Sequence, residues 1–165
     1  GGPLRHVGGP ILHNGMIFAS SGDGGGDRDM VALKADGAGD VTETALAWEK
    51  KKSTAYVPMV LGRGDYVYWI SDKENKALCA NARTGEIQWE ERLSGSGEVT
   101  ASPVLIDGKI YSINESGRVT VFAAEPKWNL LAENDVGEGV YASPAVADGR
   151  LYIRGTRHLI CVGKK

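Results

Sequence analysis

The phrase ASPVLIDGKIY at 101–111 returns as ASPAVADGRLY at 142–152, 41 residues on, with six of eleven positions identical. A phrase repeated at this distance marks a repeated structural unit, and internal repeats constrain a fold more than any local propensity. Two earlier versions exist: GGPILHNGMIF at 8–18, and YVPMVLGRGDYVY at 56–68 with a two-residue insertion. The four prolines, Pro10, Pro58, Pro103 and Pro144, are spaced by 48, 45 and 41 residues. An aromatic residue closes each copy: Phe18, Tyr68, Tyr111 or Tyr152.

Within a copy the pattern reads strand, turn, strand. Asn14-Gly15, Asp107-Gly108 and Asp148-Gly149 are favoured two-residue hairpin turns. KIYSI alternates polar and apolar, as a half-buried strand does. The proline opens the first strand, where a missing N–H is tolerated. A second turn (NESGR, 114–118) leads to VTVF, and a third (Arg83 to Glu86) leads to IQWEERL. Trp48 in LAWEKK matches Trp89 in that outer strand, while the third copy is less regular, with Trp128 displaced and Leu131 as the expected counterpart.

Four antiparallel strands in 41 to 48 residues is the period of a β-propeller blade. A single such sheet has two apolar faces and cannot bury both alone; stacking around an axis covers each with its neighbour. A β-sandwich needs no repeat at this period, and a β-solenoid has a shorter one. The predicted class is all-β: one propeller domain or fragment over 1–165, with blades at about 8–50, 56–93, 101–135 and 142–162, forming a partial or small ring.

Composition agrees with a globular chain, 42% apolar and 24% charged. The 23 glycines with only 2 Phe suit many tight turns between short strands. A formal charge of -2, with no basic block longer than Lys50 to Lys52, lacks the electrostatic footprint of a nucleic-acid partner. No apolar run reaches transmembrane length. The Gly-Gly-Pro start, without Met, reads as a processed or trimmed end of something longer.

The fourth copy stops at LICVGKK, after its third strand. Leu4-Arg5-His6-Val7 is the candidate to complete it from the other end of the chain. The arc then either closes as a small ring or is half of a larger one. An open half exposes two blade faces, so self-association is expected, with a homodimer completing a larger ring as one form.

The phrases ASPVLIDGKIYSINESGRVTVF and NARTGEIQWEERL resemble the pyrroloquinoline-quinone-like (quinoprotein-like) β-propeller repeat, which couples an SP…DG…Y inner pair with a TG…W outer turn. KADGAGDVTETALAWEKKK and RHLICVG also resemble the C-terminal half of an uncharacterised bacterial family abundant in planctomycetes. The resemblance implies a periplasmic or extracellular location and two kinds of relative. One is a dehydrogenase holding pyrroloquinoline quinone and calcium on the axis, with an adjacent cysteine pair. The other is an outer-membrane assembly lipoprotein that binds proteins. The only cysteines, Cys79 and Cys161, share one repeat position with Ala32 and Val121, which reads as packing in blades two apart rather than a pair or a disulfide.

Single motifs add little. Asp23, Asp27 and Asp29 in SGDGGGDRD are the candidates for a metal, but the glycine and glutamate of an EF-hand are absent, and a solvated loop is the plainer reading. Asp36 to Thr42 is glycine-rich without the Lys-Ser/Thr of a phosphate loop. Arg63-Gly64-Asp65 occupies a hairpin turn. Trp48, Trp69, Trp89 and Trp128 read as blade packing. His6, His13 and His158 have no neighbouring nucleophile in a catalytic arrangement. Arg154, Arg157 and His158 cluster as candidates for a partner's acidic residues. The expected function is a non-catalytic platform, cofactor-free, binding a protein or extracellular ligand through loops on a ring face. The alternative is a fragment of a pyrroloquinoline-quinone oxidoreductase with calcium; carbohydrate binding has no positive motif.

Overall fold

At each inner hairpin the backbone must reverse within two residues while keeping the strand twist, which requires positive φ in the turn. Asn14 and Gly15 adopt φ of 52° and 74°, Asp107 and Gly108 47° and 74°, Asp148 and Gly149 50° and 70°. In the second copy the glycine comes first, with Gly64 at φ 58°, the residue order of the other favoured hairpin turn. The repeated Asp-Gly is thus a conformational requirement, and the phrase around it is a strand pair.

The structure, a computed structural model, describes residues 5–25 and 27–163. Four sheets follow one another along the chain, each a meander of antiparallel sequence neighbours. The first contains β1 (Ile11–His13), β2 (Met16–Gly22), β3 (Arg28–Lys34) and β4 (Leu46–Lys50). The second contains β5 (Leu61–Arg63), β6 (Tyr66–Ser71), β7 (Lys76–Asn81) and β8 (Ile87–Arg92). The third contains β9 (Val104–Ile106), β10 (Lys109–Ile113), β11 (Arg118–Ala123) and β12 (Leu130–Asp135). The fourth holds β13 (Ala145–Ala147), β14 (Arg150–Arg154) and β15 (Leu159–Val162) among the described residues. These are blades of a β-propeller, arranged as an open arc, and no helix occurs among the described residues.

Burial explains why strands of the same rank read differently. Blade 2 is covered on both faces, so β6 (YVYWIS) and β7 (KALCAN) are buried along nearly their whole length. In blade 1, the first four residues of β2 alternate buried and half-buried because only one face is covered there, and its last three are buried. The outer strand β12 is exposed throughout.

The core lies between the sheets. Phe18, Met30 and Ala32 of blade 1 pack against Val67, Trp69 and Leu78 of blade 2. The other face of blade 2, with Tyr68, Ile70 and Cys79, meets Ile110 and Phe122 of blade 3. Ile113, Val119 and Val121 then meet Val140 and Ile153. Each blade therefore has a front, facing the next blade, and a back. Ala32, Cys79, Val121 and Cys161 stand at one front position, opposite Phe18, Tyr68, Tyr111 and Tyr152. Both cysteines are free, Cys79 buried and Cys161 exposed. Burial pushes the Cys79 thiol up to about 12, leaving it an inert packing group.

The outer strands carry the next level of specification. In each complete blade the register slips by one residue at the same place, between Ala32 and Leu33, Cys79 and Ala80, and Val121 and Phe122. Such a bulge re-aims the side chain beside it. Here it turns Trp48, opposite Ala32, and Trp89, opposite Cys79, onto the following blade. The Trp48 indole N–H donates to the Ala82 carbonyl at 3.0 Å, and that of Trp89 to the Glu125 carbonyl at 2.9 Å. Trp48 lies flat against Gly85, where an added Cβ would stand 2.8 Å from the ring and φ is +73°.

In blade 3 the residue opposite Val121 is Ala132, and Leu131 is the bulged residue. Leu131 is therefore not the counterpart of the tryptophans. Trp128 sits in the preceding turn and packs on Trp89 and Phe122, with ring centroids 4.9 and 5.1 Å apart. It reinforces the blade 2–blade 3 seam, and among the described residues no tryptophan reaches blade 4.

The repeated serine before the proline also has a role. Ser102 Oγ accepts the Met59 N–H at 3.0 Å, and Ser143 Oγ accepts the Ser102 N–H at 2.9 Å, which links the starts of successive blades. The N-terminal segment does not complete blade 4. Arg5 bridges to Gly22, and His6 Nδ1 lies 3.1 Å from the Ser20 carbonyl, so its described part lies on blade 1; Leu4 is outside the described residues. The segment follows its nearest free backbone, the end of β2.

Gly85→Ala is expected to lower stability by about 1–3 kcal/mol through positive φ and the lost indole seat. Trp89→Ala is expected to cost about 3–5 kcal/mol. Urea denaturation of the three proteins checks both values.

Candidate functional site

The turns between the second and third strands of each blade share one end of the arc with the connections from blade to blade. At each seam the two kinds of loop meet through polar contacts, and the seams differ in the chemistry of those contacts.

Between blades 1 and 2, the Arg28 side chain, 9% exposed, reaches Asp72 Oδ2 at 3.3 Å, itself 5% exposed. The guanidinium also donates to the carbonyls of Asp23 and Asp27 and stacks 4.5 Å over the Tyr56 ring. A buried ion pair holds only when its remaining valences are met. Here Asp72 Oδ1 and the Thr54 hydroxyl are buried with no hydrogen-bond partner among the described residues. Both residues line a crevice of about 310 Å³ that Lys51, Lys52 and Lys73 also line.

The seam between blades 2 and 3 is tied by neutral amides. The Asn75 amide donates to the carbonyls of Leu93, Ser94 and Gly95, and the Asn114 amide to those of Ser94 and Ser96. The Ser94 hydroxyl is left over there, a neutral group with no charge to compensate.

Between blades 3 and 4 the organiser is Glu138, whose side chain is 4% exposed. Its Oε2 accepts the Arg157 backbone N–H at 2.8 Å and Nε–H at 3.1 Å; its Oε1 accepts the His158 backbone N–H at 3.1 Å and lies 3.1 Å from His158 Nδ1. Desolvation opposes its charge, but the donors from Arg157 and then His158 outweigh it and hold the carboxyl down at about 2. Behind this clamp, where the blade lacks a tryptophan, Tyr111, Val121, Leu151 and Val162 line an apolar recess of about 330 Å³.

The sequence candidates fall in separate places. Arg157 and His158 share the Glu138 carboxylate, whereas Arg154 belongs to the front of blade 4, on β14 opposite Leu159. Asp23 and Asp27 share one turn, Asp23 Oδ1 accepting the Asp27 N–H at 3.1 Å. Asp29 lies on the back of blade 1, raised from its ordinary value by burial and then by Glu49. Among the described residues no group of three His, Cys, Asp or Glu side chains gathers to hold a metal. In 36–42, Asp40 caps the Thr42 N–H. Arg63 of the Arg-Gly-Asp turn donates to the Ala124 carbonyl at 2.7 Å, a strut between blades. His13 Nε2 lies 2.8 Å from the Gly64 carbonyl, and Trp69 is 1% exposed core. Sequence reasoning missed Asp72 and Glu138. They occupy different places in the repeat, Asp72 in a turn after a second strand and Glu138 in a connection between blades, so no shared register marked them.

A family model described as the outer membrane protein assembly factor BamB matches residues 5–91. This chain belongs to that family. BamB from Moraxella catarrhalis is similar in structure, with a TM-score of 0.67 and 16% identity over 94% of this chain and 43% of that one. The computationally designed Ika4 protein is similar at a TM-score of 0.68 and 12% identity, over 99% of this chain and 93% of that one. A quinohemoprotein alcohol dehydrogenase from Pseudomonas putida HK5 is similar at 0.63 and 18% identity, over 91% of this chain and 29% of that one. The chain thus spans less than half of the BamB and dehydrogenase structures. No curated protein sequence matches it. The quinoprotein-like propeller repeat read from the phrases is therefore the fold of this protein.

The two cysteines are not the adjacent pair that the resemblance to the dehydrogenases implies. Cys79 is buried in blade 2 and Cys161 is exposed on blade 4.

The folded Glu138 carboxyl titrates at about 2, below its ordinary 4.5, so the clamp contributes fully above about pH 4.5 and is lost as pH falls through 2. The Glu138 carboxyl carbon resonance, followed by NMR against pH, is expected to titrate near 2. The Arg157 and His158 amides are expected to exchange faster in Glu138→Gln at neutral pH.

Proposed function

We propose that this chain is a non-catalytic, cofactor-free propeller scaffold of the bacterial cell envelope, binding a protein partner through the turn face. The observation that carries the reading is the crevice between blades 1 and 2. It combines a buried carboxylate oxygen on Asp72 and a hydroxyl on Thr54, both without a partner among the described residues, with three lysines. Such a site suits an extended polar segment of a protein: its donors satisfy Asp72 and Thr54, and its carboxylates meet the lysines. A preorganised surface of this kind loses little entropy on binding. Membership of the family of an outer membrane protein assembly factor supports a protein as the ligand and the envelope as the compartment.

The test is capture of envelope proteins by the immobilised chain. Wild type and a hairpin-face variant, Lys109→Glu, are expected to retain the same partner, and Lys52→Glu/Lys73→Glu to lose it at least 10-fold, as expected when rim charges steer binding. Retention by the lysine variant removes the turn face from the reading.

An oxidoreductase fragment is the second reading, favoured by the fold shared with the quinohemoprotein dehydrogenase. A cofactor that binds only the folded chain raises its melting temperature by mass action. Pyrroloquinoline quinone with Ca²⁺ at a hundredfold excess is expected to leave the midpoint and the quinone absorbance unchanged; a rise would favour the enzyme.

A further inference from the structure

Among the described residues the back of blade 1 and the front of blade 4 have no blade packed on them, and the two faces are complementary. The back of blade 1 carries Ile17, Ala19, Val31 and Leu33. Their register equivalents, Val67, Trp69, Leu78 and Ala80 in blade 2, are all buried against a preceding blade. In blade 1 the same positions are only half-buried, and Leu12 and Leu46 beside them are 71% and 50% exposed. The front of blade 4 carries Tyr152, Leu159 and Cys161, at the positions filled in blade 2 by Tyr68, Ala77 and Cys79. Leu159 is 65% exposed.

Charge distinguishes this pair of faces from the interior seams. Arg154 takes the place of the buried Ile70 and Ile113. It has no partner among the described residues. The back of blade 1 has a recess of about 290 Å³ lined by Ala19, Val31, Leu33, Asp29 and Glu49. Asp29 Oδ1 is buried there without a hydrogen-bond partner. Lys51 meets Glu49 at 3.3 Å, but its own side chain is 69% exposed, so this pair is weak and readily exchanged. A guanidinium entering the recess would find two carboxylates, one of them with a buried oxygen that its own blade leaves unsatisfied.

We propose that two copies of this chain close head to tail, the front of blade 4 of each seated on the back of blade 1 of the other, with Arg154 entering the Asp29–Glu49 recess. The contact joins two different surfaces, so it must close or grow into a filament. The arc superposes on 43% of the BamB chain, so two copies supply about one such ring. This surface is distinct from the crevice of the proposed function and does not depend on it.

Sedimentation velocity on the 165-residue chain at about 50 μM, a concentration chosen within the affinity range of ordinary protein dimers, is expected to give twice the 17.6 kDa chain mass. Arg154→Glu and Glu49→Arg each place like charges at both contacts and are expected to weaken the dimer roughly 100-fold or more. Mixed together, the two variants set the introduced glutamate against the introduced arginine at one contact and keep the natural Arg154–Glu49 pair at the other, so dimer is expected to return. This rescue distinguishes a lost contact from a misfolded variant. Cys161 should react with a thiol reagent in either variant alone and be protected in wild type. A wild-type monomer, an open-ended filament, or variants that dimerise as wild type does would each overturn the proposal.

Discussion

Trp48 and Trp89 make one blade a condition for the next. Each reaches out of its own outer strand, covers the apolar end of the following sheet, and ends in a hydrogen bond to that sheet's backbone. A four-stranded meander alone would leave both apolar faces wet, and sheets of this size have little stability by themselves. The tryptophan couples the sheets because its ring has a large area to bury and its N–H must find an acceptor. Much else accommodates that contact. The recurring bulge aims the ring, Gly85 makes room for it, and the Asn81 turn, whose side chain caps the Arg83 and Thr84 N–H groups, holds the glycine in place.

The polar layer at the turn end has a different logic. The blades there are joined by loops whose backbone groups cannot all pair within a sheet, and each seam is settled by a few side chains. Asn75 and Asn114 tie the middle seam through neutral amides. Glu138 gathers both backbone and side-chain donors at the last one. The first seam is built around a buried ion pair and leaves a charged oxygen of that pair unsatisfied. An incompletely satisfied network amid a well-packed arc is where a ligand gains most from supplying the missing partners.

Much of the architecture was legible in the sequence because the constraints that repeat are local. Asp-Gly at 107–108 and 148–149 encodes a turn conformation, and the alternation around Tyr111 encodes the covered face. The equivalence of Cys79 with Cys161 followed from counting along the repeat. The sequence was harder to read where one residue answers another from a different blade. Ala132 stands where a tryptophan would, yet the sequence pointed to its neighbour Leu131, because a bulge shifts the register by one residue. Arg157 and His158 looked like an open cationic cluster because Glu138, the carboxylate that holds them, arrives from the preceding connection. The N-terminal segment looked like a missing outer strand, but its backbone pairs with the end of β2 instead. Each case involves a contact between segments that no periodicity links.

Ala132 carries a wider implication. In a linear array of modules, the energetic coupling between neighbours decides how far a disturbance spreads. The junctions leaving the first two modules carry an indole bolt, while the last relies on a small aliphatic patch and one carboxylate. Cooperativity along this protein is therefore uneven. Its terminal module is the one most weakly coupled to its neighbour, so a disturbance there is expected to spread less far than one in the first three modules.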